Sequence, residues 1–402
     1  MKISAVRCIL LSAPYATEGD AERVQHLASG YRAAALVKIE TDEGIYGLGE
    51  PFAGSFAPLV VREIVMQTAE LLVGTSPLDV ASCMQRVQHA IRYWGRTGLA
   101  QGVTGAMEMA LFDIKGKVAG LPVYELLGGP AAAALPVYAS GGSDKPEAEL
   151  RREMKSYVAA GYSAVKIRVI NLTEQQILSK VTLCHEALDG KLALAVDAVQ
   201  SNALKPWTLK EAKRYAAILQ PFNLMWLEEP LPPDDLDGLR ELRRSTSIPI
   251  AGAETATTVM EANRYVRAGA LDILQPDASM IGGMRNFVRT GTLAEAAGME
   301  LAVHAWCGGV GHMANYHAAF ATSSCRYLEM SSVYNPLREA VLIEPWKLKD
   351  GSLALPQSPG LGVQLTPEME GEFAFREGTH YRYGVSRSEP KSTPPVYRGE
   401  TK

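Results

Sequence analysis

The sequence predicts an α/β protein: a (β/α)8 barrel of the TIM type, preceded by a smaller α+β region. Three observations predict it. Short apolar runs recur and each ends on an ionisable residue. Ser163-Ala164-Val165 leads into Lys166, Leu192–Val196 into Asp197, and Met225-Trp226-Leu227 into Glu228. Ile248–Ala253 then ends at Glu254, Leu271–Pro276 at Asp277, Met299–Val303 at His304, and Tyr327-Leu328 at Glu329. From Lys166 these polar positions are spaced by 31, 31, 26, 23, 27 and 25 residues. That is near the roughly 30-residue unit of an eightfold barrel of about 250 residues, which builds its site at the carboxyl ends of its strands. Finally, strand and helix patterns alternate from Leu135 to about Ile343, which implies a parallel sheet.

Residues 1–50 read as an antiparallel meander. Ile3, Ala5, Cys8 and Leu10 fit a first strand, in preference to a weak signal peptide at Met1-Lys2. Ala33–Glu40 is a second strand, Thr41–Gly44 a turn, and Ile45–Glu50 a return strand. The polar segment Ser12–Tyr31 is long for a connection, and such loops are usually functional or disordered. Residues 57–127 read as helices, one of them Thr104–Ala119, stopped by Gly120-Leu121-Pro122. Leu126–Pro130 is a linker. The barrel helices are expected at Pro146–Ala160, Glu174–Leu188, Leu209–Leu219, Asp235–Arg244, Thr258–Ala268, Asn286–Ala297 and His312–Ala321. Beyond Gly362 regular signals are scarce, and Ser386–Lys402 reads as a polar tail.

Composition narrows the class. The 402 residues carry 47% hydrophobic and 21% charged side chains, as a globular enzyme does. A net charge of −4 without a basic run argues against nucleic acid. No apolar run approaches the roughly 18 residues of a membrane span. Five scattered cysteines without a C-x-x-C spacing point to reduced thiols and a cytoplasmic setting.

The strand ends carry the chemistry. Asp197, Glu228 and Glu254 follow three successive strands. Singly, each could pair with a nearby Lys or Arg in a solvated loop. Together at one barrel mouth they repel, and a hard divalent ion such as Mg²⁺ resolves that with oxygen ligands. Asp277 and His304 come next. A carboxylate on one imidazole nitrogen fixes the tautomer and leaves the other nitrogen to move protons. A histidine satisfied by a backbone carbonyl is the plainer alternative. Glu329 alone reads as a solvated strand end; beside the others it reads as a neutral acid facing a developing oxyanion. Lys166 and Arg168 alternate with Ile167, so both face the barrel interior, where they need anions.

At these residues the sequence resembles the enolase superfamily, specifically the mandelate racemase / muconate lactonizing enzyme family. The resemblance spans nearly the whole chain. It is carried by Val165–Arg168, Val196-Asp197-Ala198, Trp226–Pro230, Gly252-Ala253-Glu254, Gln275-Pro276-Asp277 with Ile281-Gly282-Gly283, and Val303–Trp306. Asn335-Pro336-Leu337-Arg338 looks like a segment of some acid-sugar dehydratases and cycloisomerases.

The resemblance implies that Asp197, Glu228 and Glu254 bind Mg²⁺, which chelates a substrate carboxylate. A base removes the α-proton and the metal stabilises the enediolate. It implies an α+β capping domain at 1–128, completed by 356–402, over a barrel at 129–355. The Ser12–Tyr31 loop would close over the substrate, and the chain would form a homo-oligomer. Tyr15, His26, Arg92 and Trp94 lie in capping segments without an assigned role.

Two departures matter. The racemase pattern Lys-x-Lys has a carboxylate contact, matched by Lys166, then a lysine base. Arg168 stands in the base position, and a guanidinium with a pKa above about 12 is a poor base. Val199 stands where relatives often carry a substrate-touching asparagine. With one obvious base, His304, the expectation is a one-sided reaction: dehydration of an acid sugar to a 2-keto-3-deoxy acid. Racemisation, epimerisation or cycloisomerisation is the alternative. A silent binding protein on the same scaffold is a third reading, opposed by the full set of ionisable strand ends. The lysine that muconate-like members carry after strand six is absent from the residues following Asp277.

Overall fold

The structure, a computed structural model, describes residues 1–14, 30–143 and 145–379. Tyr15, His26, most of the 12–31 loop and the 386–402 tail lie outside the described residues. Three antiparallel strands open the chain: β1 (Ile3–Pro14), β2 (Tyr31–Thr41) and β3 (Tyr46–Gly49), in the order β1-β2-β3. The first two run further than the apolar pattern suggests. Ser12 and Tyr31 are therefore strand residues rather than loop ends.

β3 is glycine-rich because it lies against the helix Leu99–Ala119. A Cβ on Gly47 or Gly49 would run into the carbonyls of Ala110 or Ala106. The same helix presents the buried Asp113 carboxylate to Leu48 N at 3.0 Å, Leu361 N at 2.8 Å and Lys117 Nζ at 2.7 Å. One side chain thus ties β3 to the C-terminal segment.

Eight parallel strands follow: β4 (Ala134–Gly141), β5 (Ala164–Arg168), β6 (Ala193–Asp197), β7 (Leu227–Glu228), β8 (Ile250–Gly252), β9 (Ile273–Leu274), β10 (Glu300–Ala302) and β11 (Cys325–Ser331). β11 pairs back onto β4, Glu329 opposite Tyr138, and closes the barrel. A short strand absent from the sequence reading, β12 (Ser352–Ala354), runs antiparallel to β4. The helices Glu174–Leu188 and Leu209–Leu219 fall where expected, because capping boxes Thr173/Gln176 and Thr208/Glu211 mark their starts. The last barrel helix begins earlier than expected, at Gly309. A helix at Pro367–Glu372 lies within the stretch beyond Gly362 that read as irregular, capped by Thr366.

The barrel interior places the site. Tyr138, Ala164, Ala195, Trp226, Ala251 and Ala302 form a buried layer, with the Trp226 and Tyr138 rings edge-to-face at 5.2 Å. Alternation along a strand puts the residue two positions on upon the same face. Two beyond Ala164, Ala195, Trp226 and Ala302 stand Lys166, Asp197, Glu228 and His304. The polar ring is the next layer up. Glu254 is out of phase by one residue, three beyond Ala251. Ala253 breaks the alternation there, with φ +80°.

Candidate active site at the carboxyl ends of the barrel strands

Lys166 sits at the centre of the polar ring and is buried. Its Nζ lies 2.5 Å from Glu228 Oε1, 3.0 Å from Glu329 Oε1 and 3.8 Å from Asp197 Oδ2. Burial alone would discharge it, but Glu228 and Glu329 hold the ammonium well above the usual lysine range. The other oxygen of Glu228 accepts from Trp226 Nε1 at 2.8 Å and Gln275 Nε2 at 2.7 Å.

Asp197 accepts from Val199 N at 2.9 Å, and its Oδ2 lies 3.9 Å from Arg168 Nε. Burial, then Glu228, pushes the Asp197 carboxyl well above its ordinary range. Val199 takes φ +50°, where a β-branched residue is an outlier. Glu254 reaches toward His304, Oε2 to Nε2 at 3.6 Å, and its carboxyl is raised, first by burial.

His304 is oriented from behind. Its Nδ1 lies 2.8 Å from Asp277 Oδ2, and Phe52 of the capping region stands edge-on at 5.7 Å. Burial pushes the imidazole down, but Glu254, then the Asp277 hydrogen bond, lifts it to about 10. A cation placed on Glu254 would remove the largest upward influence.

Glu329 departs from expectation. Burial pushes its carboxyl up, yet Lys166 and then His304 bring it down to about 2. Its Oε2 accepts from Ala305 N at 2.7 Å. The ammonium of Lys166 and, when protonated, the imidazole of His304 favour its ionised form, whereas the sequence suggested a neutral acid. Arg168 donates to Ser140 Oγ at 2.9 Å and lies over the Trp306 ring.

The structure brings Lys166, Asp197, Glu228 and Glu329 into one ion-pair cluster, with Arg168 at its edge, and Glu254, Asp277 and His304 into a second, the two near enough to shift each other's charges. As positioned, no three acidic, imidazole or thiol groups among the described residues close around one point as a metal cage does. Lys166 and His304 are the acids' partners instead. The donor chemistry nevertheless suits a hard divalent ion. The carboxyl groups of Asp197, Glu228, Glu229, Glu254, Asp277 and Glu329 outnumber the cations Lys166, Arg168 and His304. Burial and mutual repulsion raise Asp197, Glu229 and Glu254, and a further cation among them would favour their ionised forms.

Glu229, Gln275, Trp306, Phe52 and Asn315 were missed in the sequence. Glu229 is buried at φ +43°, accepts from Ser201 Oγ, and leaves Oε1 without a hydrogen bond. Burial, then Glu254 and Asp197, raises it well above its ordinary range. The doubled acid Glu228-Glu229 was a signal for it. Gln275 could have been found as the residue two before Asp277. Phe52 and Asn315 carried no local signal.

Two family models match the chain. One described as enolase C-terminal domain-like matches residues 149–369; one described as mandelate racemase / muconate lactonizing enzyme, N-terminal domain, matches 24–128. The chain is 33% identical to a 3,6-anhydro-alpha-L-galactonate cycloisomerase of Streptomyces coelicolor, over 84% of this chain and 90% of that protein. It is 31% identical to an arabinonate dehydratase of Saccharolobus solfataricus, over 87% and 92%. Among solved structures it is similar to a racemase from Streptomyces coelicolor with bound magnesium, with a TM-score of 0.81, 31% identity, and 92% and 99% of the two chains covered.

Proposed function

The chain belongs to the mandelate racemase / muconate lactonizing enzyme family of the enolase superfamily, and from that premise we propose that it dehydrates a sugar acid to a 2-keto-3-deoxy acid. The observation that carries the reading is the polarity of His304. One ring nitrogen is anchored on Asp277 and the other faces the acid cluster, while Arg168 holds the remaining position where a second base would stand.

Asp197, Glu228 and Glu254 would hold Mg²⁺, which when bound draws charge from a substrate carboxylate and acidifies the neighbouring carbon. Lys166 pairs with the same carboxylate. His304 Nε2 takes the α-proton, and Asp277 stabilises the imidazolium that results. The C–H electrons form a C=C bond as the β C–O bond breaks. The imidazolium returns its proton to the departing hydroxyl, which leaves as water. The enol then tautomerises to the keto acid. Arg168, a fixed cation, balances the charge that develops on the substrate.

A second reading has support of its own. Phe52 stands beside His304 and Trp306 beside Arg168, and aromatic surface of this kind suits the C–H groups of a cyclic sugar acid. The same proton abstraction would then open a ring C–O bond, as the cycloisomerase relative's name suggests for that protein.

We divide the chain into a cap at 1–128, a barrel at 129–355 and a C-terminal segment from 356. No helix among the described residues is long and apolar enough to cross a membrane. All five cysteines are free thiols, which supports a reducing, cytoplasmic setting. Exposed Leu59, Val60 and Met66 on the helix Pro58–Ala69 would suit a homo-oligomer.

The test is a panel of aldonates, aldarates and their anhydro forms with magnesium-loaded enzyme, read by keto-acid formation and product mass. Loss of water supports dehydration, and unchanged mass supports ring opening. Neither product across the panel would overturn both readings.

A further inference from the structure

Asn315 is fully buried in the helix Gly309–Phe320, on the far side of Asp277 from His304. Its Oδ1 accepts from Ala278 N at 2.7 Å. That bond fixes which way round the amide lies, since a backbone N–H can only face the oxygen. The Nδ2 end is thereby turned onto Asp277 Oδ1, at 2.8 Å. The same oxygen accepts from Ser279 N at 2.7 Å and Ser279 Oγ at 2.6 Å. Three donors converge on Oδ1, and Oδ2 is left for His304 Nδ1.

We propose that Asn315 is a positioning residue for proton transfer, holding the Asp277 carboxylate in the single orientation that presents Oδ2 to His304. The proposal rests on reading His304 as the base. Turning the carboxylate about its axis would break the Asn315 and Ser279 bonds together. A neutral donor suits the task. A Lys or Arg at 315 would compete with His304 for the Asp277 charge, and an ionised acid would repel it. Asparagine is a poor helix former, and an amide buried mid-helix needs partners. Both of its ends find them at this one strand terminus. Partners that orient a metal-bound ligand account for about 10–100-fold in affinity or activity, and the same order is expected for one that orients a base.

The amide also braces the backbone at Ala278, so the test must separate bracing from positioning. Asn315→Asp keeps an acceptor for Ala278 N but, when ionised, cannot donate to Asp277. Asn315→Leu removes both functions. Ser279→Ala removes one donor only and leaves the Asn315 amide in place.

Two readouts are taken on the full chain. Turnover of whichever acid sugar the panel identifies is measured as kcat and KM separately. The proton on His304 Nδ1 is followed by NMR in 15N-histidine-labelled protein, which needs no substrate. Asn315→Leu and Asn315→Asp are expected to lower kcat about 10–100-fold with KM within about twofold, and to shift or lose the Nδ1 proton resonance. Ser279→Ala is expected to lower kcat less and to shift the same resonance. If Asn315→Leu fails to fold, Asn315→Asp and Ser279→Ala carry the test. Folded variants with wild-type kcat and an unchanged Nδ1 resonance would overturn the proposal. If no acid sugar is turned over, the dehydratase reading fails, and the resonance alone decides whether Asn315 orients the pair.

Discussion

The guanidinium carbon of Arg168 lies 4.1 Å from the centroid of the Trp306 ring. It stands two residues after Lys166, on the same interior face. Stacked there and bonded to Ser140, it is a fixed cation, and a guanidinium stays protonated at any working pH.

A lysine in its place is a different device. Arg168→Lys is expected to add a second base, opposite His304. In deuterated water, wild type should exchange the α-proton of one C2 epimer, and the variant should exchange both. Arg168→Met should lower kcat/KM by about 10–100-fold, the cost of a lost charged hydrogen bond of about 1.5–3 kcal/mol. Proton NMR of the two epimers reads both outcomes. Exchange of both epimers by wild type would contradict the one-sided account.

Magnesium should stabilise the fold as well as serve the chemistry. At about 100 times its dissociation constant a ligand adds about 2.7 kcal/mol. The thermal midpoint of wild type is therefore expected to rise with added Mg²⁺ and fall with a chelator. Glu254→Gln and Asp197→Asn should show little rise. An equal rise in those variants would place the ion elsewhere.

Val199 holds a left-handed backbone, φ +50°, while its N–H fixes Asp197. A left-handed residue costs about 1–2 kcal/mol, and asparagine accepts that region more readily. Val199→Asn is expected to raise the thermal midpoint, corresponding to about 1 kcal/mol. A lowered midpoint would show that the valine packs to advantage.

Acid should weaken the fold through two buried histidines of the helix Gly309–Phe320. Burial pushes His312 and His317 down to about 3 from 6.5. Each is neutral in the folded protein, while the unfolded chain takes up a proton below about pH 6.5. Their contribution is present above pH 6.5 and is lost as pH falls toward 3. The thermal midpoint should drop across that window, and His317→Gln should flatten the drop. An unchanged slope in the variant would exclude His317 as a source.

Much of this was legible in the chain because a barrel repeats one rule. An apolar interior residue followed two positions later by a polar one marks the mouths of four strands, at Lys166, Asp197, Glu228 and His304, while Glu254 and Asp277 depart from it. The helix starts at Glu174 and Leu209 were equally plain, and the structure shows a capping box at each. What escaped depends on contacts between distant segments. The helix at Gly309 starts where it does because Glu50, from the other end of the chain, accepts from Gly308 N and Gly311 N. β12 is three residues long and pairs only because β4 passes beside it. The charge state of Glu329 could not be read without knowing that Lys166 and His304 flank it. Asn315 sits in an apolar helix whose pattern says nothing of the carboxylate it faces.

The most direct test is solvent-deuterium incorporation at the α-carbon of an acid-sugar substrate, followed by proton NMR, with wild type and His304→Asn side by side and magnesium present. Incorporation or keto-acid formation by wild type, falling at least about a hundredfold in the variant, is the expected result; a general base contributes about 10²–10⁴-fold. Wild-type rates in a correctly folded His304→Asn protein would contradict the account, because the α-proton would then be leaving by another route.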